Sequence, residues 1–256
     1  MPEALSGLIG AGLSAGDLAL LLAVAFAAGM VRGFAGFGTA LVYLPVAGQV
    51  LDPVQAILSV ILMDLVGPIP NLPRGWREAE RRDLARLVLG MVVALPLGLA
   101  LLARLDPQVF RYVVSLLSLG MLVLLVSGLR YHGPMTPPMV VASGAVGGFL
   151  GGVAGVPGPP VILLYMASDR PAQVIRANTL LYLFAFDASF ILMMLVRGEA
   201  GPAIFGVGLL LIAPNLLGNL VGARLFRPER GRLFRAVAYG MIALSALSGL
   251  PFWDRG

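Results

Sequence analysis

Long apolar runs separated by short polar loops set the pattern of this chain. Eight runs stand out: about Asp17 to Val50, 53–73, 84–103, 107–128, 137–168, 171–196, 202–223 and 233–250. A helix needs about 20 predominantly apolar residues to cross a bilayer, and the unbroken runs suit that length. The first and fifth are longer and are interrupted by glycines. One interruption is Gly33-Phe34-Ala35-Gly36-Phe37-Gly38, with Arg32 at its start. The other is Gly151-Gly152-Val153-Ala154-Gly155-Val156-Pro157-Gly158-Pro159-Pro160. Each glycine weakens a helix by about 1 kcal/mol relative to alanine. Broken backbone and a bare guanidinium are both costly in hydrocarbon. Such a break is tolerated where protein covers it or where it borders a wet cavity.

The two halves repeat. Gly33, Ala35 and Gly36 match Gly152, Ala154 and Gly155 at a shift of 119. Pro53 and Gln55 match Pro171 and Gln173 at 118, as Gly90 and Pro96 match Gly208 and Pro214. Repeat 1 covers about 17–130 and repeat 2 about 137–252, within a single membrane domain. Two broken helices at corresponding positions of two repeats are the pattern of a midplane binding site in a secondary transporter.

Arginine placement discriminates between topologies. If all eight runs span, the basic loops divide almost evenly between the two sides, against the positive-inside bias. If runs 1 and 5 are hairpins that enter and leave on one side, thirteen loop arginines fall inside and four outside. The second arrangement is expected. It gives an all-α polytopic membrane protein with two inverted repeats, each a broken, re-entrant helical hairpin plus three transmembrane helices. Both termini then face outward.

Composition agrees. The chain has 256 residues, is 59% hydrophobic and only 12% charged; soluble domains carry roughly 25% charged residues. Mean hydropathy is +0.92. All 18 basic residues are arginine and the net charge is +5. Because these arginines sit in short loops, they read as topology and anionic-lipid signals rather than a nucleic-acid surface. There is no cysteine, which excludes disulfides and thiolate chemistry. Residues 1–16 carry Glu3 and no basic residue, so the N-terminus is read as retained rather than as a signal peptide. No hydrolase, zinc-protease or nucleotide-loop motif is found. No enzyme activity, catalytic residue, cofactor or metal is expected, and the single histidine, His132, reads as a loop residue.

Three groups of residues bear on chemistry. Half-helices that start at a glycine break present free N–H groups and a positive dipole end. Two such tips make an anion site, to which Arg32 adds a full charge. Alternatively the glycines only allow close helix packing, and Arg32 snorkels to an interface. Asp64 and Asp187 lie within apolar runs and need pairing, protonation or water. Asp64 pairs with Arg32 or carries a coupled proton on this reading; alternatively each acid makes a structural hydrogen bond or lies nearer the interface. Gln55, Gln173, Asn178, Asn215 and Asn219 can donate to substrate oxygens or bond helix to helix. Phe34 and Phe37 gate the site or face lipid.

At Gly33–Gly38, followed by Leu44-Pro45, and at Gly152–Pro160, the chain resembles the sulfite exporter TauE/SafE family over nearly its whole length. The resemblance implies a bacterial inner-membrane permease for sulfur-containing anions such as sulfite or sulfoacetate. It implies that the two glycine-rich regions form the substrate site, here Gly33, Gly36, Phe37, Gly38, Gly155, Pro157, Gly158 and Pro159. The second motif is proline-rich in this chain where a plainer glycine run is typical. The expected function is export of a small sulfur oxyanion by alternating access. Arg32 raises affinity, and Asn178 or Asn215 completes the shell. Asp64 or Asp187 serves as a proton carrier. A small anion and membrane lipid are the expected partners, and homo-oligomerisation stays open. An anion channel and a non-transporting partner subunit are the alternative readings.

Overall fold

The structure is a computed structural model and describes residues 13–127, 135–166, 168, 170–198, 202–226, 229 and 231–250. His132 and the ends of the chain lie outside the described residues. Among the described residues the regular structure is helical, without a strand. The helices are α1 (Ala15–Ala35), α2 (Thr39–Ala47), α3 (Pro53–Leu65), α4 (Leu72–Glu78), α5 (Arg81–Leu102), α6 (Pro107–Ser127), α7 (Pro137–Ala154), α8 (Gly158–Met166), α9 (Ala172–Arg197), α10 (Pro202–Leu225) and α11 (Gly231–Gly249). A 3-10 turn at Ile69–Asn71 precedes α4. All eight sequence runs are therefore helical, each interrupted run resolving into a long and a short helix.

The helix starts follow local chemistry. Ser14 and Asp17 form a reciprocal capping box at α1, the Ser14 hydroxyl accepting from the Asp17 N–H at 3.1 Å. Proline opens α3, α6, α7 and α10, where its missing N–H is one that would be unsatisfied anyway. Pro96 and Pro214 sit inside helices that continue through them.

Among the described residues, six helices are long and apolar enough to cross a membrane: α1, α5, α6, α7, α9 and the Phe205–Leu225 part of α10. A seventh span needs Pro53–Leu65 and Ile69–Glu78 counted together. This is a multi-pass membrane protein. At 21 and 18 residues, α1 and α7 each reach span length without α2 or α8. The outward face of α5 shows what surrounds these helices. Leu89, Val93 and Leu97 are exposed while Leu87, Met91 and Leu95 on the opposite side are buried. A helix apolar on both faces belongs in lipid.

The chain forms two compact units, residues 1–64, 105–126 and 200–256 in one, 65–104 and 127–199 in the other. Unit 1 holds α1–α3, α6, α10 and α11; unit 2 holds α4, α5 and α7–α9. The units do not follow the sequence halves: α1 and α7 each pack with a long helix from the other half of the sequence. In unit 1, α1 lies on α10 through small residues. Gly29 and Gly33 abut the carbonyls of Asn215 and Asn219, and Gly218 and Gly222 abut those of Phe26 and Met30. In unit 2, α7 lies on α5 in the same manner, with Gly144 against Leu87, Gly148 against Met91 and Gly152 against Gly98, where an added Cβ would come within 2.9 Å of the Gly98 Cα. Gly29 and Gly33 correspond to Gly148 and Gly152 at the shift of 119 seen in the sequence. Close backbone approach through small residues is how membrane helices gain packing contacts without a hydrophobic driving force.

Candidate anion site at the first chain reversal

The first interruption is narrower than its sequence motif. Helix α1 runs through Gly33 to Ala35 and ends at Gly36, whose backbone is left-handed at φ 80°. The Gly36 N–H closes the helix on the Arg32 carbonyl at 2.7 Å. Gly38 is left-handed too, at φ 102°, and α2 starts at the next residue. Two left-handed residues within three break the helix between α1 and α2, and glycine adopts them without the Cβ clash. Gly33, by contrast, serves the packing of α1 on α10. Gly36 is exposed, and a Cβ placed there meets nothing within 4 Å.

The reversal stacks three helix ends. Helix α3 runs antiparallel to α2: Tyr43 pairs with Ser59 through a buried 2.9 Å hydroxyl bond, and Thr39 stands against Asp64. Arg32, in the last turn of α1, reaches Asp64 in the last turn of α3 at 2.6 Å. Both side chains are partly open, at 24% and 20% exposure. The Asp64 Oδ1 is enclosed and has no hydrogen-bond partner among the described residues. The pairing anticipated for Arg32 and Asp64 is thus present. Helix α2 begins at Gly38 without a side-chain cap, so its first N–H groups have no partner of that kind. One cation, one uncapped helix start and one carboxylate share the corner. Arg32 and the start of α2 face the Asp64 carboxylate and the last turns of α1 and α3, whose carbonyl ends are themselves negative, so the corner is a cluster of opposed charges.

Phe37 and Gly38 are half-buried here. Phe34 packs its ring on Phe234, centroids 5.7 Å apart. Asn215 is 2% exposed, and its amide nitrogen has no partner among the described residues. Gln55 borders a separate polar pocket of about 540 Å³ with Gln49, Asp52, Gln108 and Arg111.

The second interruption reaches the same reversal with different chemistry. Helix α7 ends at Gly155, left-handed at φ 66°, whose N–H bonds the Gly151 carbonyl at 2.8 Å. Val156 and Pro157 follow, and α8 starts at Gly158; a proline drives the residue before it out of the helical region. Pro159 and Pro160 then occupy the first turn of α8 and carry no N–H. Gly155, Pro157 and Gly158 are buried. Where unit 1 places Asp64, the shift of 118 places Tyr182, whose hydroxyl donates to the Gly144 carbonyl at 3.2 Å. This reversal is neutral and offers fewer donors.

Unit 2 keeps its charges elsewhere. Asp83, with a side chain 4% exposed, bridges Arg86 at 2.9 Å and Arg170 at 2.8 Å. Asn178, fully buried, accepts from the Glu80 N–H at 3.0 Å. Its amide donates to the Glu80 carbonyl at 3.3 Å and to the Tyr165 hydroxyl at 2.6 Å. Asn178 therefore pins the start of α5 to α9 and α8. Its partners, two backbone groups 98 residues away, leave no mark in the sequence around it. Asp187 is half-buried on α9 and has an interaction partner.

A family model described as Sulfite exporter TauE/SafE matches residues 21–249. A protein of Cupriavidus necator named "Probable sulfite/organosulfonate exporter TauE" is 24% identical over 223 residues, covering 84% of this chain and 87% of its own length. No solved structure matches.

Proposed function

The chain belongs to the sulfite exporter TauE/SafE family, and from that premise we propose that it exports a small sulfur oxyanion, sulfite or an organosulfonate, across the bacterial inner membrane by alternating access. The observation that carries the reading is the Arg32–Asp64 pair at the glycine reversal of unit 1. The substrate oxyanion takes the place of the Asp64 carboxylate beside Arg32 and accepts from the uncapped N–H groups at Thr39 and the following residues. Gly36 and Gly38 leave the room for that approach, with Phe37 alongside. Asn215 supplies a spare amide donor on the neighbouring α10. The second break, Gly155, Pro157, Gly158 and Pro159, carries no charge and contributes less to anion binding on this reading. Asn178 is committed to its own hydrogen bonds and is a structural residue on this reading.

Asp64 also couples transport to protons. As a carboxylate it holds Arg32. Once protonated, it releases the guanidinium to the substrate. Anion binding then strengthens as pH falls, and Asp64→Asn binds anions more tightly with that pH dependence removed. Asp187 is the second candidate carrier.

The test is flux from proteoliposomes, using a sulfonate whose own charge is constant across the pH range. Saturable, counterflow-competent efflux that Arg32→Gln lowers by about a hundredfold is expected, the loss of a charge-assisted contact worth about 3 kcal/mol. Wild-type flux in Arg32→Gln would remove the site from this corner. Unsaturable current would make the protein a channel.

A further inference from the structure

A groove on unit 2, remote in chain position from the Arg32–Asp64 pair, has no part in the proposed transport site. Helix α4, the first turns of α5 and the middle of α9 enclose about 660 Å³. This is within the range of small-molecule sites. Leu72, Trp76, Leu84, Val88 and Phe184 form its walls, and Arg77 is its one polar lining residue. We infer that this groove binds an anionic phospholipid, its acyl chain along α5 and α9 and its phosphate at Arg77 and Arg81.

Three observations fit that occupant. The first is charge. Arg77 donates to the Pro73 carbonyl at 3.3 Å, leaving the rest of its guanidinium unengaged. Arg81 stacks over the Trp76 ring at 5.6 Å from its centroid. Among the described residues no carboxylate lies within ion-pair reach of Arg77, Arg81 or Arg82. Of the nearby acids, Glu78 holds Arg74 at 2.7 Å and Asp83 holds Arg86 and Arg170, which leaves Glu80 alone against Arg77, Arg81 and Arg82. The rim is therefore net positive. The second is the ring: Trp76 is 54% exposed, and tryptophan favours the headgroup level of a bilayer. The third is continuity. From Val88 the groove passes onto the exposed apolar face of α5 at Leu89, Val93 and Leu97, which already faces lipid tails. A phosphate at the arginines thus sits at one end of a surface that is apolar all the way along. Basic pockets beside membrane helices hold anionic headgroups in this way.

The experiment titrates the delipidated, detergent-solubilised protein with phosphatidylglycerol or phosphatidylcholine and reads retained lipid by native mass spectrometry. Phosphatidylglycerol is expected to bind about thirtyfold more tightly, the weight of two arginines at a charged lipid. Arg77→Gln/Arg81→Gln loses that preference at unchanged melting temperature. Arg74→Gln, whose charge is spent on Glu78, keeps it. Equal retention of both lipids, or a preference that survives in the double variant, would overturn the assignment. So would a disulfide dimer formed by Trp76→Cys in native membranes, which would give the groove to a second copy of the chain.

Discussion

Asn178 shows how a buried amide is spent. Its carbonyl oxygen and both amide hydrogens are engaged, two on the Glu80 backbone and one on the Tyr165 hydroxyl. Nothing is left for a substrate. Asn178→Ala strands a buried N–H, a carbonyl and a hydroxyl at once, and each unsatisfied group costs about 1–3 kcal/mol. A lower melting temperature with an unchanged dissociation constant for the anion is the expected outcome, read by thermal unfolding and equilibrium binding on the same preparation. Loss of affinity without loss of stability would return Asn178 to the substrate. At this scale, the sequence revealed what must be paired but not always the partner. An arginine and an aspartate inside apolar runs each demand a counter-charge, so Arg32 with Asp64 was legible across 32 positions. An asparagine demands only hydrogen bonds, and backbone atoms can supply them from anywhere in the chain.

Glycine does two jobs in these helices, and the residue type alone does not separate them. Gly36, Gly38 and Gly155 hold left-handed backbone. Gly33 and Gly152 belong to the same sequence motifs yet lie inside regular helices, where they admit a neighbouring backbone. The sequence marked both motifs as interruptions six to ten residues long; the chain reverses over three. The missing information is φ, which depends on which glycines tertiary packing has already claimed. The packing role predicts large costs. A methyl group at Gly144 would overlap the Leu87 carbonyl, so Gly144→Ala is expected to destabilise unit 2 by at least about 1–3 kcal/mol, as overpacking does. Gly120, inside α6, has nothing within 4 Å of its Cβ position. Gly120→Ala should raise the melting temperature through helix propensity alone. Paired thermal melts in one detergent check both signs.

Over the whole molecule, the sequence carries a near-constant shift between matching residues but no sign of which helices pack together. A shift reports equivalence, whereas contact depends on which surfaces fit. Here the hairpin of each repeat sits with a long helix of the other, α1 with α10 and α7 with α5. Neither half of the sequence can therefore complete a unit alone. Cutting the chain between residues 128 and 134 and expressing either half singly should give protease-sensitive, unstable material. Co-expression should restore a complex that melts as the intact protein does. A half that is stable by itself would show that the interleaving is dispensable.

The interleaving also orders biosynthesis. Every residue of unit 2 lies before position 200, while unit 1 needs the chain from 200 onward. As the nascent polypeptide leaves the ribosome, the later-starting unit can therefore finish first. Until α10 arrives, α1 waits in the bilayer with Gly29 and Gly33 bare, and the Arg32 corner is held by Asp64 alone. The unit that holds the Arg32–Asp64 pair is thus the last part to become whole, and a translation arrest after residue 199 would leave a membrane-inserted product with unit 2 complete and unit 1 lacking α10 and α11.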